Sequence, residues 1–341
     1  MQENKNPLVT FVLLSYNQEK YIAEAVKAVL GQDYANLQII LSDDCSVDNT
    51  YNILEKLVAK YNGPHKIILN RTTKNLGVGS HVNEVFKKIT GSFIVMGAGD
   101  DISSKKRVSI LVDEWAKNNY KSCSIYSSYT SIDDEGLALR ESQNNKRKIS
   151  KISNRTYNVK EGVSGCTQAF SRDIIEKFGP YDNRIIHEDY ILPFRAALIG
   201  DVIYIPTPLV QYRVLENSLS HTSKNYSLQR QKKILDYIRG NVAMNLQYLT
   251  DLNIIREENA IDNQNYKYYQ EEIMKDYEKA VYKLDLYTGN FLKRIILYSS
   301  NYFKISDNNR IKNLAITLFS YEWLCKINSF YYNIKNIKFN K

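Results

Sequence analysis

The sequence predicts an α/β fold in which a mostly parallel sheet is flanked by helices and followed by a mainly α-helical C-terminal region. Up to residue 101, short apolar runs alternate with segments whose apolar residues recur at helical spacing. This alternation is typical of βαβ units and of a parallel sheet. From residue 218 onward, the chain of 341 residues has no proline and keeps a helical pattern rich in Tyr, Asn, Ile and Lys.

The N-terminal elements follow in order from these patterns. Residues 8–15 are apolar and β-branched, as expected for a strand buried on both faces. Residues 19–30 carry apolar side chains at helical spacing and end at Gly31, which predicts a helix. The same alternation predicts strands at residues 37–41, 66–69 and 93–96, and helices at residues 49–61 and 80–89.

The pattern is less regular after Asp101. It predicts a helix at residues 105–118, a strand at 122–129, an ordered segment at 165–170, a helix at 187–199, and short strands at 202–205 and 209–212. Residues 140–160 are rich in Lys, Asn, Ser and Arg, and predict a loop. We place a domain boundary near residues 217–224, which divides the chain into domains 1–217 and 218–341.

The positive charge is concentrated near the C-terminus. The formal net charge is +9 at pH 7, and residues 291–341 carry nine Lys and Arg against Asp307 and Glu322. A local basic region of this kind indicates an anionic partner. The tail supports two interpretations. It contacts an anionic membrane surface, or it forms a helical subdomain that packs on the core or on a second copy in a homodimer.

Cysteine usage and the absence of long apolar runs indicate a cytoplasmic protein. The four cysteines are far apart and form no CxxC pair, which favours reduced thiols over a disulfide framework or a zinc site. The N-terminus is polar, and no stretch approaches the ~18–20 apolar residues of a membrane span. We therefore expect a cytoplasmic location, with peripheral contact on the inner face of the membrane through the basic tail. No nucleic-acid-binding motif is present, so we expect no nucleic-acid partner.

Three groups of polar residues follow predicted strands or begin a predicted helix. They are Ser15, Tyr16 and Asn17 with Ser42, Asp43 and Asp44; then Gly97, Ala98, Gly99, Asp100 and Asp101; then His187, Glu188 and Asp189. In open α/β sheets, ligands bind at the carboxyl ends of the strands where the strand order reverses. We therefore expect the three groups to line one cleft.

The residue types in these groups suit a sugar-nucleotide transferase. A tyrosine can stack on a base, and a carboxylate can accept a hydrogen bond from a base N–H. Paired carboxylates after glycines suit Mg²⁺ or Mn²⁺ on a diphosphate, and a further carboxylate can act as general base. Taken singly, each group is also explained by turn chemistry, helix capping or dipole stabilisation. The hypothesis of a sugar-nucleotide transferase rests on the three groups occurring together in one chain.

Five segments, in this order, resemble consecutive motifs of the family 2 glycosyltransferases, which have the GT-A (Rossmann-like) fold. They are VTFVLLSYNQEKYIAEAVKAVLGQDY, IILSDDCSVDNT, NLGVGSHVNEV, GSFIVMGAGDD and HEDYILPFRAALIGD. The resemblance covers about residues 8–214. It implies an inverting, non-processive transfer of a hexose from a nucleotide-diphosphate donor, most often a UDP-sugar. The acceptor would be a glycan or a lipid-linked saccharide in surface polysaccharide synthesis, such as capsule or O-antigen.

The resemblance also implies roles for particular residues. Tyr16 would stack on the base, Asp44 would bind it and Asp43 would support that loop, with Ser15 and Asn17 beside them. Asn75 and Gly77 form the Asn-x-Gly turn near the nucleotide, and Gly99 precedes the acidic motif. Asp100 would be the ligand of Mn²⁺ or Mg²⁺ with Asp101 as its neighbour, and Asp189 the catalytic base beside Glu188.

The sequence departs from the family pattern at two positions. Ala98 stands where many relatives have the first acid of an Asp-x-Asp-Asp motif, which implies weaker metal binding. Leu215 stands where many relatives have a histidine, and His221 is a candidate substitute ligand or a solvated loop residue. The alternatives are a sugar-phosphate nucleotidylyltransferase, although its Gly-rich, Arg-containing N-terminal loop is absent, and a non-catalytic nucleotide- or nucleic-acid-binding protein.

Overall fold

The structure is a computed structural model that describes residues 6–139, 163–215 and 228–290. Within these residues one sheet contains β1 (Val9–Ser15), β2 (Leu37–Asp43), β3 (Lys66–Arg71), β4 (Phe93–Ala98), β5 (Ile102–Ser103), β6 (Cys123–Ile132), β7 (Gln168–Ser171) and β8 (Asp201–Arg213). The helices are α1 (Ile22–Leu30), α2 (Thr50–Ala59), α3 (Val78–Phe86), α4 (Arg107–Lys117), α5 (Asp173–Phe178), α6 (Glu188–Ile199), α7 (Leu228–Glu257) and α8 (Asn263–Thr288).

The strand order of the sheet is β3-β2-β1-β4-β7-β6-β8-β5. The first four strands are parallel to one another, as the βαβ pattern predicts. Beyond them, β7 runs antiparallel to both β4 and β6, β8 is parallel to β6, and β5 is antiparallel to β8. The sheet is therefore mixed, and the predicted α/β class with a helical C-terminal region is confirmed.

The predicted elements up to residue 132 are present, with ends that shift by at most three residues. The two short strands predicted at residues 202–205 and 209–212 form one strand, β8. Pro206 and Pro208 lie in its exposed middle, where the pairing of β6 with β8 shifts register. Proline is tolerated at such an irregularity because no ladder hydrogen bond needs its missing N–H. The short elements β5 and α5 were not predicted.

The core lies between the parallel strands and the helices that connect them. Phe11, Ile39 and Val95 come from three neighbouring strands, and Ile22 and Val26 come from α1; all five are fully buried. Strands buried on both faces read as continuous apolar runs, which is the pattern seen in the sequence. This packing fixes the carboxyl ends of the strands.

The chain divides into two compact units, one of residues 1–215 and 247–270 and the other of residues 216–246 and 271–341. Residues 247–270, which include the end of α7 and the start of α8, thus belong to the unit that contains the sheet. There, the guanidinium of Arg195 on α6 donates to the carboxylate of Asp251 at 2.7 and 3.1 Å, and both side chains are fully buried.

Gln247 completes this buried group. Its Nε2 donates to Asp251 at 2.9 Å, and its Oε1 accepts the N–H of Asp182 at 3.0 Å. The second unit contains the described residues of α7 before position 247 and those of α8 after position 270.

Among the helices that the structure describes, none combines the length and the apolar character that crossing a bilayer requires. Several predictions fall outside the described residues. They concern the loop at 140–160, the boundary at 217–224, His221, and the basic segment 291–341. These remain predictions.

Candidate active site

The site lies at the carboxyl ends of β1 and β4. From β1 the chain moves outward to β2 and β3 on one side, while β4 pairs with β1 on the other, so the strand order reverses between β1 and β4. Ligands of open α/β sheets bind at such a reversal. Leu14 and Ala98 are paired there, and Gly99 donates its N–H to the carbonyl of Leu14 at 2.9 Å. The residues after Ser15 and Ala98 therefore face the same crevice.

Asp43 holds the loop that follows β2. Its fully buried carboxylate accepts the N–H of Ser46 at 2.9 Å and is also hydrogen-bonded to the Ser46 hydroxyl. The Nε of Arg71 lies 3.5 Å from the carboxylate, and its guanidinium packs over the Tyr51 ring. Asp43 thus shapes the loop and does not face the crevice with a free carboxylate.

Asp44 joins the end of β2 to the turn that precedes α3. Its buried carboxylate accepts the Thr72 hydroxyl at 3.0 Å, the Leu76 N–H at 2.9 Å and the Gly77 N–H at 2.9 Å. Asn75 stabilises the same turn, because its Oδ1 accepts the Gly77 N–H at 3.0 Å. The residues of the predicted nucleotide group, Asp44, Asn75 and Gly77, are therefore brought together.

Tyr16 is exposed, with 43% of its surface accessible, and it follows Ser15, whose carbonyl accepts the Asp44 N–H at 2.9 Å. The adjacent Asn17 has a positive φ of 52° and connects two loops. Its N–H donates to the Ser46 hydroxyl at 2.8 Å, and its Oδ1 accepts the Val47 N–H at 2.9 Å. Asn tolerates this backbone conformation better than most residues. The structure thus leaves the Tyr16 ring available to stack on a planar ligand.

His81 is a neighbour of this region that the sequence did not single out. It is buried on α3, and its Nε2 lies 2.7 Å from the Ser42 hydroxyl. Burial lowers the pKa of His81, although the nearby Asp44 and Asp43 oppose that shift. The imidazole is therefore neutral at pH 7 and supports the loop from behind. No local signal marks it, since its partner is distant in sequence.

The acidic turn after β4 places Asp100 at the crevice. A side chain at Gly99 would displace its neighbours, because a Cβ there would lie 2.4 Å from Oε1 of Gln18 and 2.8 Å from Cδ1 of Ile22. Asp100 is partly buried and hydrogen-bonded to the Gln18 side chain. Burial raises the pKa of Asp100, while the Gln18 hydrogen bond and the charge of Arg213 work in the opposite direction.

Asp101 is buried behind Asp100. Its carboxylate accepts the backbone N–H of Arg213 at 2.9 Å and is hydrogen-bonded to the Cys166 thiol. Burial, followed by the charge of Asp100, raises the pKa of Asp101 to about 7. Of the two carboxylates predicted at the metal site, Asp100 is therefore the more accessible, and Asp101 is held by protein donors.

Arg213, at the end of β8, is a site residue that the sequence did not indicate. Its buried guanidinium donates to the carbonyl oxygens of Asp100 at 3.1 Å and of Asp133 and Asp134 at 2.9 Å each. It also donates to the Glu24 carboxylate at 2.8 Å. Arg213 thus ties the acidic turn to α1 and to the turn after β6.

Glu188 and Asp189 begin α6. Burial raises the pKa of Glu188 to about 7, and burial together with the charge of Glu188 raises the pKa of Asp189 to about 8. Gly165 packs against both, since a Cβ there would lie 2.9 Å from Oε1 of Glu188 and 3.4 Å from Cβ of Asp189.

One short turn joins the two acidic pairs. Gly165 contacts Glu188 and Asp189, and the next residue, Cys166, hydrogen-bonds to Asp101. The turn that contains both, a 3₁₀ turn at Gly165–Thr167, directly precedes β7. The second and third groups of predicted residues therefore lie on either side of one turn.

The donors for a metal ion are few in the part of the chain that the structure describes. No group of three or more His, Cys, Asp or Glu side chains is arranged there to hold a metal. His221, the third predicted metal residue, lies outside the described residues. Mg²⁺ and related ions are, however, commonly bound by one or two carboxylates together with substrate phosphates. Asp100 fits that kind of site.

Comparison with known proteins identifies the domain that carries this site. Residues 10–179 match the family described as Glycosyl transferase family 2. The chain therefore carries a family 2 glycosyltransferase domain. The match confirms the predictions that the protein is a glycosyltransferase and that its domain is of family 2. The match decides against the nucleotidylyltransferase and the non-catalytic binding protein.

Relatives of this glycosyltransferase include two bacterial proteins. It is 35% identical over 105 residues to the putative glycosyltransferase EpsE of Bacillus subtilis, a match that covers 31% of the chain and 37% of EpsE. It is 26% identical over 266 residues to an Escherichia coli protein, a match that covers 76% of the chain and 98% of that relative. That relative is named UDP-Glc:alpha-D-GlcNAc-diphosphoundecaprenol beta-1,3-glucosyltransferase WfgD.

Solved structures similar to the glycosyltransferase support the fold. TarS of S. aureus, residues 1–349 in complex with UDP-GlcNAc, has a TM-score of 0.55 at 15% identity and covers 92% of this chain and 91% of its own. The mannosyltransferase PcManGT of Pyrobaculum calidifontis, in complex with GDP-Man and Mn²⁺, has a TM-score of 0.52 at 14% identity. The match covers 95% of this chain and 87% of the PcManGT chain.

Proposed function

We propose that this glycosyltransferase moves a sugar from a UDP-sugar to a saccharide acceptor with inversion at the anomeric carbon. The observation that carries the proposal is the placement of two acidic pairs on either side of the Gly165–Cys166 turn. Inversion requires the acceptor oxygen to attack from the face opposite the departing diphosphate. One acidic pair suits the diphosphate side and the other the acceptor side.

Asp189 is the proposed general base. As the acceptor hydroxyl oxygen forms its bond to the anomeric carbon, the bond from that carbon to the diphosphate oxygen breaks and Asp189 takes the hydroxyl proton. A pKa raised to about 8 makes Asp189 a stronger proton acceptor than an ordinary carboxylate. Glu188 beside it raises that pKa and is the second candidate for the role.

Asp100 is the proposed ligand of Mn²⁺ or Mg²⁺, with the donor diphosphate supplying further oxygens. Such an ion, when bound, neutralises the charge that develops on the diphosphate. Asp101 holds the backbone of this turn through Arg213, and Ala98 contributes no carboxylate of its own. PcManGT, which has a similar fold, was solved in complex with GDP-Man and Mn²⁺, and this supports the proposal of a metal ion.

The first group of residues is the proposed base site. Tyr16 stacks on the uracil, while Asp44 and the turn of Asn75 and Gly77 form its edge, with Ser15 and Asn17 supporting the loop. The Asp44 carboxylate already accepts donors from that turn, so its main role is to hold the turn in place. UDP is the proposed nucleotide because TarS was solved with UDP-GlcNAc and WfgD is named for UDP-Glc.

The proposed acceptor is a lipid-linked saccharide in cell-surface polysaccharide synthesis. WfgD is named for a diphosphoundecaprenol acceptor, and it is matched over nearly its full length. Such an acceptor lies at a membrane surface, where a basic tail of net charge +7 would assist. Peripheral attachment to the inner face of the cell membrane from the cytoplasm follows from this proposal.

A panel of sugar nucleotides tests the proposal. We expect the purified protein with Mn²⁺ to hydrolyse one or more UDP-sugars slowly without acceptor, and to transfer the sugar faster when a prenyl-diphosphate-linked GlcNAc is added. NMR of the product should show inversion of the anomeric configuration. Turnover of GDP- or dTDP-sugars alone would contradict the UDP assignment, and retention of configuration would contradict the role of Asp189.

A further inference from the structure

The helix α3 touches both parts of the site. At its N-terminal end, the turn of Leu76 and Gly77 is held by the Asp44 carboxylate. Gly77 has a φ of 76°, a conformation that L side chains rarely adopt, and its carbonyl accepts the N–H of His81 to begin the helix. The position of α3 is therefore set by the base side of the site.

Two residues of α3, Gly79 and Asn83, contact residues 181–185. Gly79 lies against the backbone there, since a Cβ would lie 2.2 Å from the carbonyl oxygen of Ile185. One turn later, the buried Asn83 donates from Nδ2 to the carbonyl of Tyr181 at 2.7 Å and accepts the Tyr181 N–H at 3.3 Å. Its Nδ2 also donates to Asn183 at 3.0 Å.

Residues 181–185 lead directly into the acidic pair of α6. Only Ile186 and His187 separate this segment from Glu188. From the other side, Gln247 accepts the Asp182 N–H, and the Arg195 guanidinium lies over the Tyr181 ring at 5.8 Å. The segment is thus held between α3 and a buried charged group, and Asn83 provides the polar contacts on the α3 side.

We propose that Asn83 is a positioning residue that couples nucleotide binding to the placement of Glu188 and Asp189. This inference rests on the proposed function. A ligand that orders the turn at 75–77 fixes the N-terminal end of α3, and Asn83 and Gly79 pass that constraint to residues 181–185. Coupling between sites is carried by packed elements and hydrogen-bond networks of this kind.

Hydrogen exchange tests the coupling directly. We expect UDP with Mn²⁺ to slow amide exchange in residues 72–80 and also in residues 181–190 of the full-length protein. In Asn83→Ala, UDP should still protect residues 72–80, and its Kd should change less than threefold. Protection of residues 181–190 should be lost. Exchange reports local opening, so it separates the two segments.

Val85→Ala is the matched control. Val85 is fully buried on the same helix, and the variant loses two methyl groups without touching the contacts to Tyr181. It should keep the protection of residues 181–190 by UDP. If Asn83→Ala and Val85→Ala respond alike, the effect is general loosening of α3 and the proposal is wrong.

Kinetics provide a second readout. Asn83→Ala should lower kcat about tenfold with little change in KM for the donor. Asn83→Asp keeps the acceptor for the Tyr181 N–H but puts a carboxylate oxygen in place of the Nδ2 donor to the Tyr181 carbonyl, so it should lower kcat at least as much. A kcat near that of wild type in Asn83→Asp would contradict the proposal. If wild-type protein fails to bind UDP at all, both the proposed donor and the proposed coupling are wrong. If UDP binds and slows exchange in residues 72–80 but not in residues 181–190, only the proposed coupling is wrong.

Discussion

Arg213 holds the turn that contains Asp101 through two hydrogen bonds, both of which Arg213 donates. The backbone N–H of Arg213 donates to the Asp101 carboxylate at 2.9 Å, and its guanidinium donates to the carbonyl of the preceding Asp100 at 3.1 Å. The end of β8 therefore helps to determine the backbone conformation of the turn that carries Asp100. This relation makes the conformation of the acidic turn depend on a residue more than 100 positions away.

Replacing Arg213 should disturb this turn without removing any carboxylate. Arg213→Lys keeps the charge but cannot reproduce the planar fork that reaches three carbonyl oxygens. We expect a loss of about 2 kcal/mol in the free energy of unfolding and weaker binding of UDP in Mn²⁺. Glu24→Ala is the control, because its carboxylate is 59% exposed and should contribute less than about 1 kcal/mol. Denaturant unfolding and calorimetry measure both, and equal effects in the two variants would contradict this role.

Asp189→Asn should abolish most of the transfer while leaving UDP binding intact. A general base acts on the chemical step and typically contributes ~10²–10⁴-fold. The variant should also be more stable than wild type at pH 8.5, by roughly 1–3 kcal/mol, because a partly buried charge is removed. Rapid-quench assays and calorimetry test this, with Glu188→Gln in parallel. Near-normal turnover in Asp189→Asn would contradict the assignment of Asp189 as general base and would favour Glu188 for that role.

The pH dependence of the reaction should reflect the acidic pair of α6. A base must be deprotonated, and burial raises the pKa of Asp189 to about 8. We therefore expect kcat to rise between pH 6 and pH 8.5. Glu188→Gln removes the charge that helps raise the pKa of Asp189, so its profile should shift to lower pH. A profile that is flat from pH 6 to 8.5 would argue against a raised pKa.

The free energy of unfolding should fall as pH rises, whereas kcat should rise. Because the folded pKa values of Glu188 and Asp189 lie above the ordinary values of 4.5 and 3.8, the folded state binds more protons than the unfolded state between about pH 4 and pH 8. The contribution of these groups to stability therefore falls as pH rises through that window. Asp189→Asn should remove most of its own part of that slope in urea unfolding.

Asp100 and Asp44 should be separable by their response to metal. Asp100→Ala should weaken UDP binding in Mn²⁺ but not the metal-free binding seen in EDTA. Asp44→Ala should weaken both, because it releases the Leu76 and Gly77 N–H groups and with them the turn at the base site. Calorimetry with and without EDTA distinguishes the two. Equal losses under both conditions for Asp100→Ala would contradict the metal assignment.

Much of the site followed from local sequence patterns. Asp44 directly follows β2 and Asp100 is separated from β4 by Gly99 alone, and parallel strands bring their carboxyl ends to one edge. The start of α6 at Glu188 was likewise indicated by the helical pattern that follows it. Each of these residues is marked by the periodicity of its own segment, which is why the amino-acid sequence alone is enough to place it.

Other features depended on partners distant in the chain. His81 bonds to Ser42, Arg213 to the acidic turn, and Arg195 to Asp251, all across long sequence separations. Periodicity describes one element at a time and does not say which elements meet. It also could not assign residues 247–270 to the unit that contains the sheet, since the helical pattern is continuous there.

The basic tail should bind acidic membranes. Each Lys or Arg near an anionic surface contributes ~1 kcal/mol, and the attraction fades within a Debye length of roughly 10 Å at 0.1 M salt. We expect full-length protein to sediment with phosphatidylserine vesicles at low salt, less so at 0.5 M NaCl, and not with neutral vesicles. If no binding occurs at low salt, light scattering should show whether the tail forms a dimer contact instead.

The buried pair of Arg195 and Asp251 has a consequence for the order in which the protein is made. Fifty-six residues separate the two partners. At ~5–20 residues per second, roughly 3 to 11 seconds pass between their synthesis on the ribosome. By the end of that interval all eight described strands of the sheet have been translated, because β8 ends at Arg213, yet until then α6 carries an arginine whose carboxylate partner has not been made. The contact of α6 with Asp251 can therefore form only after the nascent chain has extended well beyond the sheet.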